Sequence, residues 1–596
     1  MKKDKGKVNN NVKFKDTIKR LLFLLKGYRF RIILVVVFSV ISALFAIFSP
    51  KILGLVTTEI ASGAVNKLTT GIGINFLKIL KIIWILLFIY IISAIFNYLQ
   101  SYIMSYIANH FTYELRQKVI AKMNLVNLKY FESKTTGELL SRITNDIDVI
   151  CENLYFALTQ SISSLVTLIG IVIMMFSISP LLTFVSILVL PIGFLLMTFS
   201  VSKSQKYFDK TQESVGVINS HIEQVYSFHN IVKAYNAEEE MMDEFAKINN
   251  TWYESSWKGQ FLSGLIHPIM HFLGNLGYVI VALVGGYLTI NGRLEIGYIL
   301  SFSQYIKNFN SPIMSIAQIF NLIQSMVASS QRVFEFLDAP EMEDGVKEID
   351  LTKVKGHICF NDVTFGYDKD KIVINNFKAN IKKGQKVAIV GPTGAGKTTI
   401  VKILMRFYDA SNGSIMLDGM DIKEYKRASL RKAFGMVLQD TWLFNGTIKE
   451  NISYGKLDAS LEEIEEVAKA CYIDHFIKTQ SLGYNMMIDE DTNNISEGQK
   501  QLLTIARVIL KDPKILILDE ATSNVDTRME ILIQKAMDKL MENRTSFIIA
   551  HRLSTIRNAD LILVINEGNI VEMGKHQELL DKNGFYAKLY NAQFSE

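Results

Sequence analysis

Cysteine is almost absent from this chain: 596 residues hold three, Cys151, Cys359 and Cys471. Their spacing gives no C-x-x-C pair, which excludes a disulfide framework, a dithiol redox centre and a structural zinc, and leaves three reduced, buried bystanders. A strong charge of one sign is missing too. The 64 lysines and arginines exceed the 58 aspartates and glutamates by too little, over this length, to argue for a nucleic-acid partner, and none is expected. What the chain has instead is apolar side chains: 49% of residues are hydrophobic and the mean hydropathy is +0.21. That is too apolar for an ordinary soluble enzyme, and the chain is too long for one core. At least two domains are expected, one of them in lipid.

The basic side chains gather at the start. Lys2, Lys3, Lys5, Lys7, Lys13, Lys15, Lys19, Arg20, Lys26, Arg29 and Arg31 precede the first apolar run, against only Asp4 and Asp16. A charged start before an apolar run has the form of a secretory signal, but no small-residue cleavage site follows and further apolar runs do. By the positive-inside rule residues 1–30 are expected in the cytoplasm.

About 20 helical residues cross a hydrocarbon core of about 30 Å, and six stretches are expected to do so. Ile32–Ser49 and Ile82–Asn109 carry no charge, with Lys51–Lys81 between them. Asn153–Ser202 is uncharged throughout and too long for one span; the turn signal Ser177-Ile178-Ser179-Pro180 splits it in two. Gly259–Gly292 is the fifth span, and the sixth starts near Ile296, after Asn291-Gly292-Arg293-Leu294-Glu295. The connections His110–Glu152 and Lys203–Lys258 are polar but keep a helical period, so the spans are expected to run on into the cytoplasm as helices. Hydropathy alone leaves open a receptor or channel with a soluble domain attached.

The later spans carry Tyr, Phe, Met and a few polar groups (His267, His271, Asn275, Gln304, Asn308), consistent with a cavity for a small amphipathic substrate and equally with helix packing. Lys307 lies roughly 16 Å along the sixth span at 1.5 Å per residue, near the midplane, where a charge is costly unless it faces water. It is expected to face a central cavity, with snorkelling or a structural role in the pore wall as the alternative.

Residues 326–355 form a charged linker, and from 356 to 596 short apolar strands alternate with helical segments, the α/β pattern. Lys386-Val387-Ala388-Ile389-Val390 reads as a strand, and Gly391-Pro392-Thr393-Gly394-Ala395-Gly396-Lys397-Thr398 follows it and opens a helix, the context a P-loop needs. Glycines let successive backbone N–H groups turn toward phosphates, and the helix N-terminus adds its dipole. Lys397 reaches the β- and γ-phosphates, and Thr398 offers a hydroxyl to Mg²⁺. The ligand implied is a nucleoside triphosphate, held by Gly391, Thr393, Gly394, Ala395, Gly396, Lys397, Thr398 and the adjoining Thr399. A second strand, Lys514 to Leu518, ends in Asp519-Glu520: Asp519 suits the metal through water, and Glu520 suits the base for the attacking water.

On these residues the chain resembles the ATP-binding cassette family along essentially its whole length. The resemblance implies ATP and Mg²⁺ as cofactors and assigns further residues. Tyr367, in Phe365-Gly366-Tyr367, matches the aromatic that stacks on adenine. Gln439, in Val437-Leu438-Gln439-Asp440, matches the glutamine that reaches Mg²⁺ and the water. Ser496, Gly498 and Gln499 stand in the signature Ile495-Ser496-Glu497-Gly498-Gln499, which contacts a nucleotide held by a second cassette. Asp526 matches the loop that crosses between cassettes, and His551 the histidine at the γ-phosphate. The catalytic set so implied is Glu520, His551 and Gln439, and the metal set Thr398, Gln439 and Asp519.

The membrane half resembles the exporter branch. Its first cytoplasmic loop matches at Phe131-Glu132-Ser133-Lys134-Thr135-Thr136-Gly137-Glu138-Leu139-Leu140-Ser141-Arg142 and the second around Val232-Lys233-Ala234-Tyr235, with coupling segments expected near Asn127–Thr135 and Gln212–Ile218. The fold this implies is multi-domain: an all-α six-helix transmembrane domain at residues 31–325, preceded by an elbow helix, and an α/β P-loop nucleotide-binding domain at 356–596. The place implied is the cell membrane, crossed several times, with the cassette in the cytoplasm.

One departure matters. The family signature reads Leu-Ser-Gly-Gly-Gln, and here Glu497 replaces its first glycine; a carboxylate near a γ-phosphate repels it. A sound P-loop beside a weakened signature resembles one member of a heterodimeric multidrug exporter with one degenerate site, whose partner is a second half-transporter with an intact signature. A homodimer that tolerates Glu497, a peptide exporter and a nucleotide-gated channel remain as alternatives.

Overall fold

The computed structural model describes the chain apart from residues 1–3, 70, 72, 189, 369–370, 439–440, 490–493, 520–525, 550–552 and 595–596. It divides into two units, Met1–Asn124 with Thr136–Asp338, and Leu125–Thr135 with Ala339–Glu596.

The first unit is helical. It opens with α1 (Asp4–Leu24), α2 (Arg29–Thr69) and α3 (Phe76–Met123). The chain then leaves for α4 (Leu128–Glu132), part of the second unit, and returns as α5 (Thr136–Ile143), α6 (Asn145–Ile178), α7 (Pro180–Ile187), α8 (Leu190–Ser227), α9 (His229–Ala234), α10 (Glu238–Gly264), α11 (Ile266–Ile290) and α12 (Ile296–Leu337). Large apolar side chains such as Trp84, Phe88 and Leu283 point outward, the inverse of a soluble bundle, as lipid as a solvent requires.

Among the described residues five helices are long and apolar enough to cross a membrane. The fourth span of the six expected falls on α7 and α8, on either side of residue 189, which lies outside the described residues. Ser179 divides α6 from α7 as the turn signal predicts: its backbone is extended and its Oγ accepts from the Leu182 N–H.

The segment Gln212–Ile218, expected to couple at the second cytoplasmic turn, lies instead inside the unbroken α8. Nothing there stops a helix, since a single Gly216 costs only about 1 kcal/mol. The turn comes later, at α9, where Phe228 and Tyr235 leave helical geometry and Asn236 takes a left-handed φ of 51°.

Three close contacts seat α12 on α2. A Cβ on Gly297 would meet the Gly54 carbonyl oxygen at 1.9 Å, so the backbones touch where side chains are absent. Ser301 Oγ donates to the Pro50 carbonyl (2.9 Å) and Tyr305 Oη to that of Ile47 (2.8 Å). Toward the other end Arg332 Nε donates to Asp146 Oδ2 (2.9 Å), and Arg20 grips Asp338 with two bonds of 2.5 and 2.8 Å.

The second unit is α/β. Its strands are β1 (Ile358–Phe365), β2 (Ile374–Ile381), β3 (Lys386–Val390), β4 (Asn412–Leu417), β5 (Met420–Asp421), β6 (Phe434–Val437), β7 (Gly446–Thr447), β8 (Met487–Ile488), β9 (Ile515–Asp519), β10 (Thr545–Ile549), β11 (Leu561–Asn566) and β12 (Asn569–Gly574). One antiparallel sheet has the order β2-β1-β4-β5, and β7 pairs with β8. The larger sheet has the order β12-β11-β3-β10-β9-β6, parallel except for the edge strand β12. Its inner parallel strands are buried on both faces: Ala388, Leu516, Leu518, Ile548 and Val564 enter one core, and Val387, Ile389, Ile517, Phe547 and Leu563 the other.

The cysteines are free, but only Cys471 is fully buried, and burial pushes its thiol up to about 12; Cys151 and Cys359 are half-buried.

Candidate nucleotide and substrate sites

The P-loop joins β3 to α13 (Lys397–Leu404). Gly391 follows the strand so close to β11 that a Cβ there would meet the Ile565 carbonyl oxygen at 2.2 Å. Gly396, just before α13, has a φ of 102°, a conformation open to glycine. Buried Ala395 pins the loop: its N–H donates to the Pro392 carbonyl and its own carbonyl accepts from the Gly568 N–H, both at 3.2 Å. Lys397 is 9% exposed, and its Nζ donates to the carbonyls of Gly391 (2.8 Å) and Pro392 (3.1 Å). Burial holds this ammonium below the ordinary lysine range, while the charge of Asp519 acts in the opposite sense. Thr393, Gly394 and Thr398 are exposed, and Thr399 is buried. A helix N-terminus, a glycine-rich loop of backbone N–H groups and a buried ammonium together attract a chain of phosphates.

Asp519 ends β9 level with Ile549 of β10, and Ile549 is level with Ile389 of β3. The P-loop and Asp519 therefore leave the carboxyl ends of strands one apart, where open α/β sheets place their ligands. Thr398 and Asp519 offer hard oxygen donors of the kind Mg²⁺ takes in ones and twos beside phosphates and water. Among the described residues no group of three His, Cys, Asp or Glu could hold a metal on its own. Glu520, Gln439 and His551 lie outside the described residues.

Tyr367 is half-buried, edge-on to Phe365 and Tyr408, both with centroids 5.1 Å away. Its hydroxyl lies 3.2 Å from Thr399 Oγ1, and Lys402 Nζ sits 5.6 Å over its ring. Lys129 Nζ donates to the Tyr367 carbonyl and pairs with Asp368 (2.7 Å). Glu132, the last residue of α4, accepts from Lys402 Nζ (2.7 Å) and from Tyr408 Oη. Burial raises the Glu132 carboxyl, but these two bonds outweigh it and hold the group below its ordinary value. Burial likewise pushes the Tyr408 phenol up. Lys402 and Tyr408 escape sequence reasoning, because nothing local ties either to a carboxylate more than two hundred residues earlier.

Ser496 caps the helix Glu497–Lys511. Its Oγ accepts from the Gln499 N–H (3.4 Å) while its own N–H donates to Gln499 Oε1 (2.9 Å), a capping box. Gly498 is buried. Glu497 is exposed; its carboxylate accepts from Thr441 Oγ1 and lies 3.6 Å from Lys500 Nζ, and an acid in a first helical turn suits the dipole. Within its own chain, then, Glu497 is well accommodated. Asp526 caps the helix Thr527–Met541, accepting from the N–H groups of Arg528 (3.1 Å) and Met529 (3.0 Å).

In the membrane unit a cavity of about 270 Å³ opens between α2, α6 and α12. Its polar wall is Gln160, Ser163, Ser164 and Thr167 of α6 with Lys307, Asn308 and Ser311 of α12. His267, His271, Asn275 and Gln304 do not line it. The signal for the α6 row in the sequence is its spacing of three and four, which marks one helix face inside an apolar run. Lys307 Nζ lies 5.9 Å over the Tyr278 ring. Because α12 starts beside Gly54 and Tyr305 bonds to Ile47, Lys307 stands in the half of the span nearer Lys51. That is shallower than a count from Ile296 suggests.

Comparison with known proteins gives two family matches, the ABC transporter transmembrane region at residues 32–313 and ABC transporter at residues 374–523. A fatty acid ABC transporter ATP-binding/permease protein of Mycobacterium bovis is 43% identical over 522 residues, 88% of this chain and 83% of that one. An ATP-dependent lipid A-core flippase of Syntrophus aciditrophicus is 35% identical over 512 residues, 86% and 85% of the two chains. Among solved structures, a bacterial Atm1-family ABC exporter with ATP bound is similar with a TM-score of 0.72 at 28% identity, covering 96% of this chain and 99% of that one.

Proposed function

The chain belongs to the ABC transporter family, and from that premise we propose that it is one half of an exporter moving amphipathic or hydrophobic compounds, lipids or drugs, across the cell membrane by alternating access. It is a membrane-spanning transporter that hydrolyses ATP. The observation that carries the substrate reading is the cavity between α2, α6 and α12, lined both by polar side chains of α6 and α12 and by apolar Ala46, Ile47, Pro50 and Ile171, which matches the mixed character of an amphiphile. The relatives named for fatty acid and lipid A-core transport support the lipid reading.

In this reading Lys397 and the P-loop backbone hold the β- and γ-phosphates. Thr398, Gln439 and Asp519 would hold Mg²⁺, which would supply positive charge to the phosphates. Glu520 accepts the proton of the attacking water, His551 contacts the γ-phosphate, and Tyr367 faces adenine. Ser496, Gly498, Gln499 and Asp526 serve a nucleotide bound by a second cassette. Support for a second chain comes from α9 and its flanks, where Tyr226 and Tyr235 are 81% and 80% exposed beside exposed Phe228 and Ile231.

We take the second chain to be non-identical, because Glu497 adds a negative charge to the signature end of the helix. The homodimer is favoured by one observation, the Glu497 carboxylate held by a hydrogen bond from Thr441 and offset by the charge of Lys500. Expression of this chain alone decides between them: inactivity rescued by a companion half-transporter supports the heterodimer, and a homodimer with full transport-coupled ATP hydrolysis sinks it.

A further inference from the structure

We propose that the cavity between α2, α6 and α12 is an anion-headgroup site with Lys307 as its charge, so that the exported compounds are anionic amphiphiles bearing a carboxylate or phosphate; this rests on the export reading and names its substrate class. Lys307 is a cation in a membrane helix with no carboxylate partner among the described residues. Among the described residues no acid lines the cavity, and the nearest charge along the helix is Glu295 at its N-cap, about three turns away, with Arg332 about seven turns the other way. A charge so placed is expensive and marks a ligand or ion path. Its neighbour is a neutral ring, Tyr278, a contact that an arriving anion can replace without breaking an ion pair.

Lining the cavity with Lys307 are neutral groups able to donate, the hydroxyls of Ser163, Thr167 and Ser311 and the amide of Asn308, while the Gln160 amide already donates to Ser315 Oγ (2.9 Å). They can donate to an anion stripped of water; their oxygens accept as well, so it is the charge of Lys307 that turns a cation away. The rest of the lining, including Ala46, Ile47, Ile171 and Pro312, is apolar, so the bound headgroup carries hydrocarbon with it. A volume of about 270 Å³ takes a headgroup and the first carbons of a chain, not a whole lipid.

The test is equilibrium binding of hexadecanoate to the full transporter, with whatever partner it requires, in phosphatidylcholine nanodiscs. The competitors are hexadecyl phosphate, hexadecanol, hexadecyltrimethylammonium, acetate and inorganic phosphate. Hexadecyl phosphate and unlabelled hexadecanoate are expected to compete at least about tenfold better than hexadecanol, and the quaternary ammonium, acetate and phosphate hardly at all. Lys307→Gln should erase the preference for the anion and Lys307→Arg should keep it. The competition order of the unmutated protein holds as a test even if Lys307→Gln fails to fold. Equal competition by the alcohol or the ammonium, or a preference that survives Lys307→Gln, overturns the proposal. Full competition by acetate or phosphate overturns the amphiphile and leaves a small-anion site. Failure of any ATP-driven movement of amphiphiles in vesicles, with the binding order intact, removes the export reading and not the site.

Discussion

Glu132 accepts hydrogen bonds from Lys402 and Tyr408, which ties a five-residue helix lying between α3 and α5 in the chain to the helix that the P-loop opens. Lys402 continues the line, sitting over the Tyr367 ring, and Tyr367 reaches Thr399. One carboxylate thereby sets the position of two side chains beside the nucleotide site.

Glu132→Gln keeps the shape and removes the charge, at an expected cost of about 1 kcal/mol, or about 2–4 °C in the Tm of a domain this large. The carboxyl is held below its ordinary value, so its contribution is present above the unfolded pKa and lost as pH falls through the lowered one. The Tm difference between the two proteins should be full near neutrality and vanish in acid. A difference that grows on acidification contradicts the assignment.

Glu520→Gln should bind ATP normally and lose nearly all turnover, because an amide cannot accept the proton of the attacking water while the phosphate cradle is untouched. Lys397→Ala should instead weaken nucleotide binding, by removing the buried ammonium. Nucleotide binding and single-turnover hydrolysis, measured side by side, separate the two. Near-normal hydrolysis by Glu520→Gln means that the base is another group.

Gly391→Ala should destabilise the cassette strongly, since its Cβ would lie 2.2 Å from a backbone oxygen that cannot move without breaking β11. Gly394→Ala has open space and only a φ of 83° to accommodate, at about 1–2 kcal/mol. Denaturant unfolding of both variants should rank Gly391→Ala well below Gly394→Ala; the reverse order would place the strain elsewhere in the loop.

The companion chain, if there is one, should carry a full Leu-Ser-Gly-Gly-Gln-like signature to serve the ATP on Lys397, and a defective carboxylate after its own metal-binding aspartate. Each composite site draws on both chains. Glu520→Gln in this chain alone should therefore abolish almost all hydrolysis of the pair, and the equivalent change in the partner should do little. Equal loss from either change means two working sites.

Local chemistry explains which features were legible from residues alone. The P-loop is eight consecutive residues whose glycines, lysine and threonine act where they stand, and its strand-then-helix context follows from a buried β-run and a helix start. The break at Ser179-Pro180 is local too, since extended backbone before proline is enforced by sterics. The second cytoplasmic turn is not legible in the sequence because an amphipathic period persists through Gln212–Ile218, and the helix yields only from Phe228 to Asn236, whose left-handed backbone leaves no mark in hydropathy.

Composition and local pattern by themselves determined that this chain crosses a membrane several times and carries a P-loop, because the free energies involved, desolvation of long apolar runs and phosphate capture by adjacent N–H groups, are set by neighbours in sequence. Only the tertiary structure decided that Glu132 meets Lys402, that Glu497 has Thr441 and Lys500 to hold it, and that Lys307 faces a polar wall contributed by α6. Those pairings depend on which helix and strand faces pack together. Packing is a cooperative outcome of the whole chain, and no window of residues contains it.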